Sequence, residues 1–578
     1  MREPNLKDGR GSIQASISVP FTKRSEDRRF AERMAQNTYV FGDGRFQVLL
    51  LLFAQAAIFV SFAQTSTQIS YYFPIAYWCR PPSEYSYMST GQWFNSSIPR
   101  RPDGSYSHCS RYGGPRTVDS KDNATEIPCE HWDYNRSAHG YSVIMEWDLV
   151  CNRAWLLSLS EVAFMTGSVV CVPLMGLASD RFGRRPVLCG AAFVLFWSAV
   201  AQCFAQSLDT FVILRSLSSA SASVLGLTTS VVLFESTPPG RREAFVALAV
   251  CMPTILAPAY VTTLAAITFH WRNLHLAIAA PSLLLIVTVY LTGESLQWLI
   301  MHARSEEAER VALWAARVSN EDARLVKLRV QAVIEALLLT DKARAAVPPD
   351  FSSLNAGTMR SRSLVIFGCW LFSHIAHHSP NADLVSNVLR DMKWAARLLN
   401  ALAMVASYFV TTTYGHRYPF VVISLLYSLF VTVQSVLTLS ALLTPLAWSI
   451  AVAYTLFNMA YVSLYIHTVD TFPAHVRNTG FSVAHMGGSL GAMLAGLVKQ
   501  VEIRLPPNMK ALPRAAIGMG IAGLSVGVLF LPKDVTGGPL DEPKDNASPL
   551  GKLSMLAVTP DQPKFSDTSR QASGKPTT

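Results

Sequence analysis

A span of about 20 predominantly apolar residues has few stable folds open to it, because a hydrocarbon core about 30 Å thick is matched by a helix of that length. Twelve such runs occur here, at about 46–65, 155–177, 186–206, 208–234, 243–266, 273–292, 363–380, 394–413, 419–440, 444–468, 479–498 and 513–531. A chain that keeps its backbone hydrogen bonds inside each span must be helical in lipid, so the expectation is an all-α membrane protein. Only 15% of the 578 residues are charged, well below the quarter usual for soluble domains. The net charge of +10 does not point to nucleic acid, since the basic residues gather in loops expected on the cytoplasmic side. Residues 1–45 carry Lys23, Arg24, Arg28, Arg29 and Arg33 ahead of the first span, which reads as a cytoplasmic segment and not a cleaved signal.

Two long interruptions divide the spans. Residues 66–154 follow the first span, and residues 303–361 separate the sixth from the seventh. The chain therefore reads as a six-helix bundle over 46–302, a cytoplasmic helical linker over 303–361, a second six-helix bundle over 362–532 and a disordered cytoplasmic tail over 533–578. The loop 66–154 is too polar for a membrane. It holds Cys79, Cys109, Cys129 and Cys151, while the other five cysteines fall in the spans. It also holds three Asn-x-Ser/Thr sequons, at Asn95, Asn123 and Asn135. Together they place the loop on an oxidising, extracellular side, with both termini cytoplasmic. Four cysteines allow three pairings, and spacing does not choose among them.

Between the second and third spans runs Gly176-Leu177-Ala178-Ser179-Asp180-Arg181-Phe182-Gly183-Arg184-Arg185. A reversal this short needs glycine, and its arginines fix the loop inside. Such a cluster either anchors topology only or gates the cytoplasmic side by changing partners between two states; Asp180 at a helix end favours gating. The loop resembles the signature of the major facilitator superfamily. Further motifs resemble solute carrier family 22, the organic cation, anion and zwitterion transporters: Phe41-Gly42-Asp43-Gly44-Arg45-Phe46-Gln47, Glu146-Trp147-Asp148-Leu149-Val150-Cys151, Glu235 with Arg241-Arg242, Trp271-Arg272, and Glu294-Ser295 with Trp298. Asp470-Thr471-Phe472-Pro473 and Arg477-Asn478-Thr479-Gly480 complete the set, over roughly residues 39–532. Sugar porters share several of these motifs but lack the long cysteine loop. The resemblance implies a major facilitator fold with twelve transmembrane helices in two bundles. It implies a plasma-membrane, multi-pass transporter working by alternating access, and gating roles for Asp180, Arg181, Gly183, Arg184, Arg185, Glu235, Arg241, Asp470 and Arg477.

Such carriers bind substrate near the midplane between the halves. Span four offers Arg215, Ser219, Ser223, Gly226 and Ser230 on one face, which suits close packing or a cavity wall. Span ten offers Tyr461 and Tyr465 a turn apart, and span seven Trp370, His374, His377 and His378. Three close histidines suggest metal, but no acid or cysteine completes a ligand set, so pore-lining imidazoles are expected and no metal or cofactor. Glu161 in span two is an intramembrane carboxyl that attracts a cation, takes a proton or is simply hydrogen-bonded. In span eight the family's acid position aligns with Asn400 and the anion transporters' lysine position with Met404. In span eleven the residue that selects charge aligns with His485. The second copy of the signature carries Thr412 and Thr413 where acid and arginine belong, before Gly415-His416-Arg417. The candidate substrate residues are therefore Glu161, Trp370, His377, Asn400, Tyr461, Tyr465 and His485. With both selecting positions neutral or titratable, the charge of the small organic ion stays open. A sugar or neutral-solute facilitator, or a non-transporting receptor or scaffold, is the alternative; no catalytic constellation appears, and oligomeric state is not legible.

Overall fold

The computed structural model describes residues 44–71, 76–101, 104–113, 125–135, 140–291, 293–302, 304–341, 350–355, 357–379, 393–440, 442–506 and 509–531. Asn123 lies outside them. The long helices of the first half are α1 (Arg45–Tyr71), α2 (Trp155–Phe182), α3 (Arg184–Gln202), α4 (Leu208–Ser236), α5 (Arg242–Ile267) and α6 (Trp271–Leu291). Those of the second half are α7 (Gly357–His378), α8 (Lys393–Tyr414), α9 (Arg417–Leu439), α10 (Leu443–Thr471), α11 (Arg477–Arg504) and α12 (Leu512–Leu529). Ten of these, among the described residues, are long and apolar enough to cross a membrane; α6 is apolar over a shorter stretch, Trp271–Val287, and α7 is not in that set. The expectation of twelve apolar spans is thus met in ten. The reason is visible in α7, whose ends carry Arg360, Ser361, Arg362 and then His374, His377 and His378.

Burial is inverted relative to a soluble protein. Leu49, Leu52, Phe193, Ile213, Leu284, Leu402, Phe409 and Leu429 stand exposed on the outside of the helices, while Ser218, Ser219, Thr228, Thr229 and Ser230 are buried on α4. Lipid solvates the apolar shell, so the interior is held by packing and by paired polar groups. Small residues let helices approach. A Cβ on Gly167 of α2 would fall 2.0 Å from the Ser216 carbonyl of α4, and one on Gly491 of α11 would fall 2.3 Å from the Leu371 carbonyl of α7.

The loop after α1 folds as a small disulfide domain. Strands β1 (Tyr77–Cys79) and β4 (Trp132–Tyr134) pair antiparallel, as do β2 (Ser110–Tyr112) and β3 (Glu126–Pro128). The structure settles the pairing of cysteines as Cys79–Cys129 and Cys109–Cys151. Cys79, Trp93, Ile98, Trp132 and Leu149 form its core, which continues into Phe211 and Trp271 at the ends of α4 and α6. Arg272 clamps Glu146 at 2.7 and 3.0 Å and donates to the carbonyls of Cys203 and Ala205. The domain is thereby fastened to the first half. At the opposite end of the bundle, the linker helix Ser305–Ser319 buries Ala308, Ala312, Ala315 and Ala316. Glu306 and Glu307 in its first turn, Arg317 in its last and a left-handed Asn320 cap suit its dipole and its end. Its Trp314 meets Phe46 of α1 edge-on at 5.4 Å.

Candidate functional site

Among the described residues, two large clusters and a smaller His416–Glu243 bridge join the halves. The first lies at the linker end, where the chain turns from α2 into α3 at Gly183. That residue has φ +109°, and a Cβ there would fall 2.5 Å from Glu294 Oε2, so both backbone and space demand glycine. Glu294 uses the room to accept the amide N–H groups of Arg184 (2.8 Å), Arg185 (3.0 Å) and Ser295 (2.9 Å). No side chain of the Gly183 cap can do this, so a carboxylate from after α6 completes the first turn of α3. Burial pushes the Glu294 carboxyl above its ordinary range, against the pull of those amides and of Arg184.

Around that turn the ionised groups are enclosed and paired. Arg184 lies 3.1 Å from Asp180 and 3.1 Å from Glu235 of α4, and Arg477 of α11 reaches the same Glu235 oxygen at 3.2 Å. Arg477 also donates to Gln297, and Ser295 donates to Glu235. Asp180 looks the other way, into α11. It accepts the Thr479 amide at 2.8 Å, the Thr479 hydroxyl at 2.7 Å and the Asn478 amide at 3.4 Å. The α11 cap, Val476, offers no side-chain acceptor, so the first turn of this second-half helix is capped by a first-half carboxylate. Arg184 adds a bond to the Ala474 carbonyl. Two arginines and two acids balance in charge, which a buried network needs.

Of the expected gate residues, the structure brings Asp180, Gly183, Arg184, Glu235 and Arg477 together. Arg185 enters through its backbone, while Arg181 and Arg241 are exposed beside the cluster. Asp470 stands apart, 3.8 Å from His416 Nε2, whose Nδ1 meets Glu243 of α5 at 2.8 Å. In the sequence Asp470 stands out as a gate residue and Asn478 and Thr479 only as part of a motif, with nothing to pair His416 with Glu243 or to single out Gln297. Glu243 had only its place after Arg241-Arg242 to signal it.

The second cluster is aromatic. Trp370 of α7 is fully buried and donates its indole N–H to Thr468. Around it stand His374, Tyr461, Tyr465, Phe481 and His485, at ring-centroid distances of 5.3 to 6.4 Å. The first half contributes Phe62 of α1, 6.2 Å from Tyr461, and Ser230 of α4, bonded to the Tyr465 hydroxyl at 2.8 Å. His377 stacks on Phe457 at 3.9 Å. Asn400 is not in this ring of side chains. It is buried and accepts from Asn458 at 2.9 Å, an α8–α10 tie. Glu161 is also apart, exposed on α2 in the field of Arg215 and Lys499. Thus Trp370, His377, Tyr461, Tyr465 and His485 belong to one neighbourhood, and Asn400 and Glu161 to others. No group of metal-ligating side chains occurs among the described residues. An open recess of about 310 Å³ exists in the disulfide domain, lined by Trp78, Arg80, Trp93, Trp132 and Asp133. Its charged pair, Arg80 and Asp133 at 2.8 Å, is exposed and joins neither cluster between the halves.

Comparison with known proteins agrees with this architecture. The family model described as sugar (and other) transporter matches residues 118–532. Solute carrier family 22 member 6-B of Xenopus laevis is 25% identical over 480 residues, 79% of this chain and 85% of the relative. Organic anion transporter 3 of Homo sapiens is 25% identical over 505 residues, 84% and 87% of the two chains. Among solved structures, the proton:xylose symporter XylE bound to 6-bromo-6-deoxy-D-glucose superimposes with a TM-score of 0.59 at 13% identity, covering 86% of this chain and 97% of that one. The partially occluded inward open conformation of XylE from E. coli gives 0.52, also at 13%, covering 84% and 99%. These last likenesses are of fold.

Proposed function

The chain belongs to the sugar (and other) transporter family of the major facilitator superfamily, and we propose from that premise that it carries small organic ions across the plasma membrane by alternating access. It is a multi-pass membrane protein that resembles solute carrier family 22, and its relatives include proteins named organic anion transporters. The observation that carries the reading is the buried charge network joining α2 and α4 to α11. A scaffold gains little from burying four ionised groups between two halves. A carrier that rocks its halves apart uses such contacts to hold one state.

In this reading the linker end is cytoplasmic, and its network is the closed gate. Asp180, Arg184, Glu235 and Arg477 hold it, with Gly183 and the Arg185 backbone shaping the turn. His416, Glu243 and Asp470 bridge the gate a second time. Substrate binds beside Trp370, His377, Tyr461, Tyr465 and His485, where flat apolar faces and hydroxyl or imidazole groups suit varied organic ions. Glu161 lies on the outer approach, and the Asn400–Asn458 pair stiffens α8 against α10. The disulfide domain is extracellular, and the exposure of Asn95 and Asn135 supports glycosylation there. With both halves of the lock at the linker end, the two termini are cytoplasmic.

The test is radiolabelled uptake into cells expressing the intact chain, with an organic cation, an organic anion, a carnitine-like zwitterion and a hexose. Saturable uptake of an organic ion, lost in Asp180→Ala at equal surface level, is the expected result. Hexose uptake alone would replace organic ions with sugars. Ligand binding with no flux or exchange would make the chain a receptor.

A further inference from the structure

Among the described residues, the aromatic cluster contains four imidazoles and no fixed charge. His374, His377 and His378 lie on the last turns of α7, and His485 of α11 stands against the same Trp370. Ring centroids of His374 and His485 each stand 5.6 Å from Trp370; His374 is 6.0 Å and His377 5.0 Å from His378. The helices packed against α7 supply few other titratable groups. From α10 come the hydroxyls of Tyr454, Tyr461 and Tyr465, and from α9 that of Tyr427, bonded to the Ser373 carbonyl. From α12 comes Arg514, paired with Glu502 of α11 at 2.8 and 2.9 Å and bonded to the Ser379 carbonyl, with its Nη1 meeting no partner among the described residues. Lys499 of α11 acts on Glu161 instead.

Two of these rings are unsatisfied. His374 Nε2 and His485 Nδ1 are enclosed and meet no hydrogen-bond partner among the described residues. The close approach is made possible by Gly488, where a Cβ would fall 3.1 Å from His374 Nε2. Buried nitrogens without partners are costly unless a ligand completes them. A cation gains the ring faces but meets no carboxylate among the described residues, and imidazoles that charge will repel it. An anion gains N–H donors, yet a lone buried anion is expensive in this medium. A proton taken up by an imidazole removes that expense, because a protonated ring is donor-only and positively charged.

Resting on the transport reading above, we propose that this cluster binds an aromatic organic anion together with one proton, making the carrier an electroneutral anion–proton symporter. The balance is simple. Outer water gives a proton to an imidazole nitrogen, forming N–H; the sulfonate or carboxylate enters as its counter-ion; at the inner side N–H returns the proton to water as the anion leaves. No other bond changes, and no net charge crosses.

The full chain reconstituted in proteoliposomes tests this, with 1-naphthalenesulfonate as probe because it stays ionised and cannot slip through lipid as a neutral acid. A pH dye is trapped inside, and valinomycin with potassium sets the potential. Saturable sulfonate uptake should rise by up to about tenfold for each unit of external acidification, following the protonated fraction of an imidazole. The lumen should acidify in step, and an imposed potential should leave the rate unchanged. His485→Arg supplies a fixed cation, so its uptake should lose the acid stimulation and begin to follow the potential. His374→Gln keeps a donor without titrating and should flatten the pH profile. If neither variant folds, the proton and potential readouts of the parent chain decide alone. Sulfonate uptake without proton movement, or uptake of tetraethylammonium in its place, would overturn the symport while leaving organic-ion transport standing. No flux of any probe would remove both.

Discussion

Replacing Asp180 with alanine strikes the proposed lock where its hydrogen bonds cross from one half to the other. Its pairing with Arg184 lies within the first half and survives opening, so it does not bias the states. The bonds from α11 do: the Thr479 amide at 2.8 Å, the Thr479 hydroxyl at 2.7 Å and the longer Asn478 amide. Hydrogen bonds to a charged acceptor contribute about 1.5–3 kcal/mol each, so losing the two short ones weakens the closed arrangement by about 3 kcal/mol or more. At 1.4 kcal/mol per decade this shifts the closed-to-open ratio by roughly 100-fold. Ser482 offers the reporter. It is buried against Gly176, where a Cβ would fall 2.3 Å from its hydroxyl, so α2 and α11 must part before reagent reaches it. In a chain with serine at Cys171, Cys189, Cys203, Cys251 and Cys369, Ser482→Cys is alkylated with N-ethylmaleimide. Asp180→Ala should raise the alkylation rate by up to roughly 100-fold, and Thr479→Val, which removes one short bond, by about tenfold. A rate within twofold of the parent in Asp180→Ala, in protein that elutes as a folded species, would show that these bonds do not hold the halves together.

Other expectations follow from the same structure. Gly183→Ala forces a side chain into a positive-φ turn and against Glu294, and should cost about 1–3 kcal/mol, read as a lowered melting temperature and lower surface level. The Arg272 hydrogen bonds, with those from Trp271 and Tyr141, hold the Glu146 carboxyl below its ordinary value of 4.5 against the opposing effect of burial. Because the folded value is depressed, the stabilisation is present above the unfolded value and fades as pH falls through the folded one. Thermal melts of the parent and Glu146→Gln should therefore differ at pH 7, begin to converge below about pH 4.5 and meet only below the depressed folded value; a constant difference would refute the assignment. Cys109→Ser opens a bridge between residues 42 apart and should destabilise the disulfide domain by about 3–4 kcal/mol, seen as faster proteolysis of that domain. Tyr465→Phe leaves buried Ser230 without its inter-half partner and should lower the melting temperature by an amount matching about 1 kcal/mol.

What the sequence could reveal depended on how local the physics is. Apolar length is local, so most spans are legible directly; α7 blurs because its histidines serve the interior and depress its apolarity. The choice of cysteine partners is not local, since Cys79 meets Cys129 across 50 residues, where β1 pairs with β4. In the lock, side chains with strong chemistry stood out, including Asp180, Arg184, Glu235 and Arg477. Their partners at Thr479 and Asn478 did not, because a backbone amide carries no signature until a helix end is placed beside an acid. The degraded second signature, with Thr412 and Thr413, hid the fact that His416 is met by Glu243 from the other half. Asn400 was read against a charge-selecting position, yet its buried amide is satisfied by Asn458, a pairing invisible until α8 and α10 are in register.

The two helix caps at the linker end differ in one respect with a consequence for motion. Glu294 and the α3 amides it serves belong to the same half, so that cap persists through any rocking. Asp180 serves α11 from the opposite half, so the end of α11 is a finished piece of secondary structure only while the halves touch. Each parting hands the amides of Asn478 and Thr479 to solvent, and each closure takes them back. Their deuterium uptake is therefore a clock for the cycle, ticking at two named peptide groups, whereas the Arg184 and Arg185 amides should keep time with the unfolding of the half itself.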